Sequence, residues 1–67
     1  MKVYFKNSKG KEILIGEADN DKQAYKKIRD FCTERGFNIP YMRQWTQGGR
    51  VFVDVSSWSE FFIIEKD

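Results

Sequence analysis

Val3 and Phe5 alternate with Lys2, Tyr4 and Lys6, and Ile13 and Ile15 alternate with Glu12 and Leu14. This is the period of two that sends successive side chains to opposite faces of a strand. Between the two runs stands "NSKG". A three-residue loop of Ser8, Lys9 and left-handed Gly10 sets Phe5 opposite Ile13 and Val3 opposite Ile15, and the same register pairs Lys6 with Glu12. Apolar and charged partners agree in one register, so a hairpin is expected.

From Glu17 the period lengthens. In "EADNDKQAYKKIRDFCTERGFNIP" the residues Ala24, Ile28, Phe31 and Cys32 fall on one helical stripe, with Tyr25 at its edge. Lys22, Lys26, Lys27, Arg29 and Arg35 lie mainly elsewhere. Asn20 is placed to cap this helix, with Gln23 at the third position, and Gly36 to close it in a left-handed conformation. Pro40 prevents its resumption.

Period two returns in "YMRQWTQGGRVFVDVSSWSEFFII", which holds six of the eleven aromatic residues of the chain. Gly48 and Gly49, between alternating segments, predict a two-residue hairpin turn. That turn pairs Trp45 with Phe52, Arg43 with Asp54, Gln44 with Val53, Thr46 with Val51 and Met42 with Val55. A last strand, Glu60 to Glu65, follows the serine-rich corner "SSWS". No repeat, linker or low-complexity tract interrupts the chain, so residues 1–67 are expected to form a single domain.

In order, these elements predict an α+β fold: a mostly antiparallel β-sheet of about five strands, ββαβββ, with one α-helix packed on one face. Val3, Phe5, Ile13, Ile15, Val51, Val53 and Val55 are expected to meet the helix stripe. The opposite face then carries Tyr4, Leu14, Tyr41, Trp45 and Phe52, bordered by Lys2, Lys6, Arg43 and Asp54, with one of the two apolar sets of the last strand.

Composition narrows what such a domain does. At 67 residues the chain is near the lower limit for a core that holds without metals or disulfides. Aromatic residues at 16% offset this by burying much area with few rotatable bonds. Twelve Lys and Arg against ten Asp and Glu give a net charge of +2 with the signs mixed, a solvated surface rather than a polyanion-binding one. A lone cysteine, Cys32, suits a reducing compartment. A lysine recurs by position 6, too early for the apolar core of a signal peptide. No apolar run approaches the roughly 20 residues that span a bilayer. A soluble, cytoplasmic protein without a membrane partner is expected.

Histidine is absent, which removes the usual general base and the commonest metal ligand, so neither catalysis nor a cofactor is expected. Cys32 belongs to the apolar stripe near the helix carboxyl end, a setting for a core thiol rather than a nucleophile. Asp19 and Asp21 flank a helix start, and Asp30 and Glu34 stand among basic residues on a solvated face. Gly48 and Gly49 precede a strand, whereas a phosphate-binding loop precedes a helix. "GGRVFVDV" brushes the pattern of an RNA-recognition strand through Gly49, Phe52 and Val53, but Arg50 stands where an aromatic belongs and Val51 where a small residue belongs.

"MKVYFKN" as an opening strand, "RQW" at Arg43 to Trp45, and "VDV" at Val53 to Val55 followed by "SEFF" at Ser59 to Phe62 resemble a group of small uncharacterised proteins encoded by phages and prophages of Gram-positive bacteria. The resemblance covers most of the chain and implies a small phage accessory protein acting in the host cytoplasm. It brings no catalytic or binding residues with it. From the residues themselves, a non-enzymatic interaction module is expected, binding a protein partner or forming a homodimer through Tyr41, Arg43, Trp45, Phe52, Asp54 and Trp58. Aromatic and arginine side chains concentrate binding energy at interfaces. The alternative is single-stranded nucleic acid stacked on the same face.

Overall fold

The structure, a computed structural model, describes residues 1–36, 42–55 and 60–66. Its elements are β1 (Lys2–Lys6), β2 (Glu12–Glu17), α1 (Asp21–Glu34), β3 (Arg43–Gln47), β4 (Arg50–Asp54) and β5 (Phe61–Glu65). All five strands join one antiparallel sheet in the spatial order β2-β1-β5-β4-β3. The α+β architecture expected from the pattern is present, and the terminal strand joins the two hairpins as the centre of the sheet. Its "FFIIE" holds a run of four apolar residues, as suits a strand covered on both faces. Phe62 and Ile64 enter the core beneath the helix, whereas Ile63 is buried on the other side.

The first hairpin has the expected loop. Gly10 is left-handed at φ 83°, and Asn7 Oδ1 accepts hydrogen bonds from the amides of Lys9 and Lys11 at 3.0 and 2.9 Å. Phe5 stands opposite Ile13 and Lys6 opposite Glu12, but a bulge at Ile15 sets Val3 opposite Gly16 instead of Ile15. The Lys27 side chain lies over Gly16, where an added Cβ would meet Lys27 Cδ at 3.0 Å. A side chain at position 16 would therefore require the end of the Lys27 side chain to shift. In the second hairpin Gly48 and Gly49 have φ of 60° and 77°, the double left-handed turn that glycine permits. Its ladder keeps the expected register from Gln47–Arg50 to Arg43–Asp54, and Met42 and Val55 lie beyond it.

Asn20 caps α1 by accepting from the amide of Gln23 at 2.9 Å, while Gln23 Oε1 reaches back to the amide of Asp19 at 2.9 Å. Gly36, at φ 74°, follows its last turn. The helix lies over β1 and β2 and buries Ala24, Ile28 and Cys32 against Val3, Phe5, Val53, Phe62 and Ile64. Ile15, Val51 and Val55 border this core. Ile13, expected inside it, is 39% exposed, because edge strand β2 has a neighbour on one side only. Phe5, Phe31 and Phe62 pack with ring centroids 4.9 to 5.6 Å apart, and the Arg35 guanidinium sits 4.6 Å from the Phe31 ring centre. Among the described residues, no helix is long and apolar enough to cross a membrane.

Candidate interaction surface

With α1 on one side, the strand registers line up a row of apolar side chains on the other. Tyr4 pairs with Leu14 of β2 and with Ile63 of β5, and Phe52 pairs with Ile63 and with Trp45 of β3. Leu14, Tyr4, Ile63, Phe52 and Trp45 therefore form one line across all five strands, from edge to edge. Trp45 stacks on Phe52 at 5.5 Å and 11°, and Phe61 meets Trp45 edge-on at 5.9 Å and 88°. Such contacts contribute roughly 0.5–1.5 kcal/mol each beyond burial and hold the indole in place.

Charged residues flank the row in matched pairs. Lys6 faces Glu12 and Arg43 faces Asp54 on one flank, while Lys2 lies between Glu17 and Glu65 on the other, beside Arg50. Lys2, Lys6, Arg43 and Arg50 are thus offset by Glu12, Glu17, Asp54 and Glu65. The Arg43–Asp54 ion pair spans 3.6 Å.

Arg50 makes a long-range side-chain contact on this face. Its guanidinium donates to both carboxylate oxygens of Glu12, at 2.6 and 3.3 Å, across 38 positions of sequence, and lies 5.9 Å from the Tyr4 ring centre. Its Nε is 3.5 Å from Glu65. β4 and β2 are three strand steps apart, and Arg50 and Glu12 stand on opposite flanks, four residues apart along the strands, about 19 Å between their backbones in a flat sheet; the twist and curl of the sheet and the reach of both side chains bring the two groups together. This bridge crosses the strands that carry Ile63 and Tyr4. The hydrogen bond from Arg50 holds the Glu12 carboxyl below its ordinary pKa, with burial opposing and the charges of Arg50 and Lys6 assisting.

The bridge divides the face. Ile63 is 0% exposed, whereas Leu14 and Trp45, at the two ends of the row, are 54% and 42% exposed. The broad apolar patch expected from strand parity is instead an open end at each edge with a closed centre. Of the expected site residues, Arg43, Trp45, Phe52 and Asp54 come together as the Trp45 end. Tyr41 and Trp58 lie outside the described residues. The pattern did not single out Arg50, Glu12 and Ile63. Arg50 has the same strand parity as Phe52, which was a usable signal for its face; its contact with Glu12 depends on sheet curl and had none.

Elsewhere, a cleft of about 640 Å³ between the start of α1 and β3 is lined by Lys22, Tyr25, Lys26, Arg29, Met42 and Gln44. Lys26 is held by Asp30 at 3.1 Å, and burial, then the Asp21 charge, raises the Tyr25 pKa. Cys32 is fully buried, and that burial raises its thiol pKa. Among the described residues, no group of three or more His, Cys, Asp or Glu side chains could hold a metal ion. Comparison with protein-family models, with curated proteins and with solved structures finds no match to this chain.

Proposed function

We propose that this chain is a non-enzymatic interaction module that docks a protein, either a second copy or another chain, at the Trp45 end of the uncovered sheet face. The observation that carries this reading is the apolar row that runs to the sheet edge and ends in a half-exposed tryptophan, held by Phe52 and Phe61 and flanked by the Arg43–Asp54 pair. A rigid aromatic anchor beside an arginine is the composition of an interface hot spot. The matched charges favour a protein over nucleic acid. Phosphates draw their affinity from unopposed cations, and on this face each basic residue stands against a carboxylate. Single-stranded nucleic acid stacked on Trp45 and Phe52 is the competing reading. An accessory role in the cytoplasm of a phage-infected host accords with the resemblance of the sequence.

Quenching of Trp45 tests this in a Trp58→Phe chain, where Trp45 is the single indole. At micromolar concentration acrylamide should quench it efficiently, and at millimolar concentration, where a second copy docks, quenching should fall. Shielding by a short oligothymidylate that vanishes steeply with salt would instead establish the nucleic-acid reading. A Trp45 already shielded in the dilute monomer would remove both.

A further inference from the structure

The two edges of the sheet are built differently. β2 carries a bulge at Ile15 and Gly16, and a carboxylate stands at each end, Glu12 and Glu17. These are devices that discourage a strand from pairing with another chain. β3, "RQWTQ", is exposed along its whole length and has no bulge, proline or lysine, and no charge after Arg43. Its hairpin turn fixes which backbone groups face outward. Gln47 pairs with Arg50 across a two-residue turn, so Gln47, Trp45 and Arg43 direct their amides and carbonyls to β4. Those of Gln44 and Thr46 point away from the sheet, and among the described residues nothing pairs with them.

We infer that β3 pairs antiparallel with β3 of a second copy, on a two-fold axis at Trp45. This deepens the proposed function by naming the partner and the element it meets. The register follows from the outward groups. Gln44 exchanges both backbone hydrogen bonds with Thr46 of the second copy, and Thr46 with Gln44 of the second copy. Trp45 faces Trp45 of the second copy as a non-hydrogen-bonded pair, the closer of the two spacings in an antiparallel ladder. Other registers that match outward groups shorten the ladder, whereas this one engages all of β3. It also sets Arg43 opposite Gln47 of the second copy, so no like charges meet. Opposed residues of a ladder share a face, so the two apolar rows become one, joined at the stacked Trp45–Phe52 pairs. The helix packs chiefly over β1 and β2 and borders β3 across the cleft that Gln44 shares with Lys22, Tyr25, Lys26 and Arg29.

Sedimentation equilibrium of the wild type, Thr46→Pro and Leu14→Ser tests the pairing. Proline at 46 removes an outward amide and no bond to β4, a position an edge strand tolerates. Two donors are lost per dimer, so its dissociation constant should rise roughly ten- to hundredfold. Leu14→Ser, at the far end of the row, should leave the constant unchanged. A mixture of Gln44→Cys and Thr46→Cys chains should oxidise to the mixed dimer ahead of either like pair. Hydrogen-bonded partners have Cα atoms about 5.5 Å apart, within disulfide reach, and the buried Cys32 does not compete. This arm reads the register without proline. A wild type that stays monomeric at millimolar concentration, or like pairs dominating the oxidised mixture, would overturn the pairing. Weakening by Leu14→Ser but not by Thr46→Pro would also overturn it, while leaving docking on the sheet face intact. If Trp45→Ala changes nothing in a dimer that persists, the face reading falls as well.

Discussion

Ile63→Ala separates a covered sheet face from an open one. Ile63 stands on the side of the sheet away from the helix, where a single-layer sheet leaves side chains in water, yet it is 0% exposed between Tyr4 and Phe52 and under the span of the Arg50–Glu12 bridge. Removing its side chain beyond Cβ forfeits the transfer free energy of those carbons and leaves a cavity, together about 3 kcal/mol. A chain of this length has a total stability of roughly 3–10 kcal/mol, so the variant should sit near the edge of folding. Ile63→Val, at about 1 kcal/mol, provides a measurable step. Urea titration followed by circular dichroism should show the midpoint falling with the slope unchanged. Ile64→Ala, on the helix side, should cost a similar amount. In an Arg50→Ala background the cost of Ile63→Ala should shrink, because the site is already opened to water, and the double-mutant cycle measures that coupling. A cost for Ile63→Ala below about 0.5 kcal/mol, typical of surface positions, would refute the self-covered centre.

Valine at Gly48 and Gly49, whose φ values are 60° and 77°, should strain the turn by roughly 1–3 kcal/mol per site and lower the melting temperature, with asparagine gentler; an unchanged melting temperature would contradict the turn. Cys32→Ala should cost about 1 kcal/mol from a small cavity, and the native thiol should react slowly with a thiol reagent, since it is fully buried. The Glu12 carboxyl has a folded pKa below its ordinary value of 4.5 because Arg50 hydrogen-bonds to it. Its stabilising contribution is therefore whole above that value and is lost as pH falls through the lower folded pKa. The side chain is partly solvated, so the effect is small: Glu12→Gln should lower stability slightly at neutral pH, where the contribution is whole, and flatten the acid limb of stability against pH.

What was legible in the sequence was local. The Gly48-Gly49 turn fixed the Trp45–Phe52 and Arg43–Asp54 pairs, and Asn20 and Gly36 bounded the helix, because each signal lies within a few residues of what it determines. The Val3–Ile15 pair failed because a bulge at Ile15 shifts the ladder to Val3–Gly16, and a one-residue irregularity of this kind leaves no mark on the alternation of the strand. The central position of β5 was written only as the composition of "FFII", an apolar run that suits burial on both faces but does not say which strands flank it. Arg50 and Glu12 were each visible as charged residues of face parity. Their meeting needs the curl of an assembled sheet, a property of no single segment.

The docking surface at Trp45 is tested most directly by sedimentation equilibrium of the wild type, Trp45→Ala and Val53→Ala, over a wide concentration range and at temperatures that equalise their folded fractions. Val53 is buried beneath the helix, so its truncation lowers stability without touching the surface. Trp45→Ala is expected to weaken association far more than Val53→Ala does. Association lost equally in both variants, or a wild type that remains monomeric throughout with Trp45 emitting as a fully buried indole, would contradict a docking surface at the end of this row.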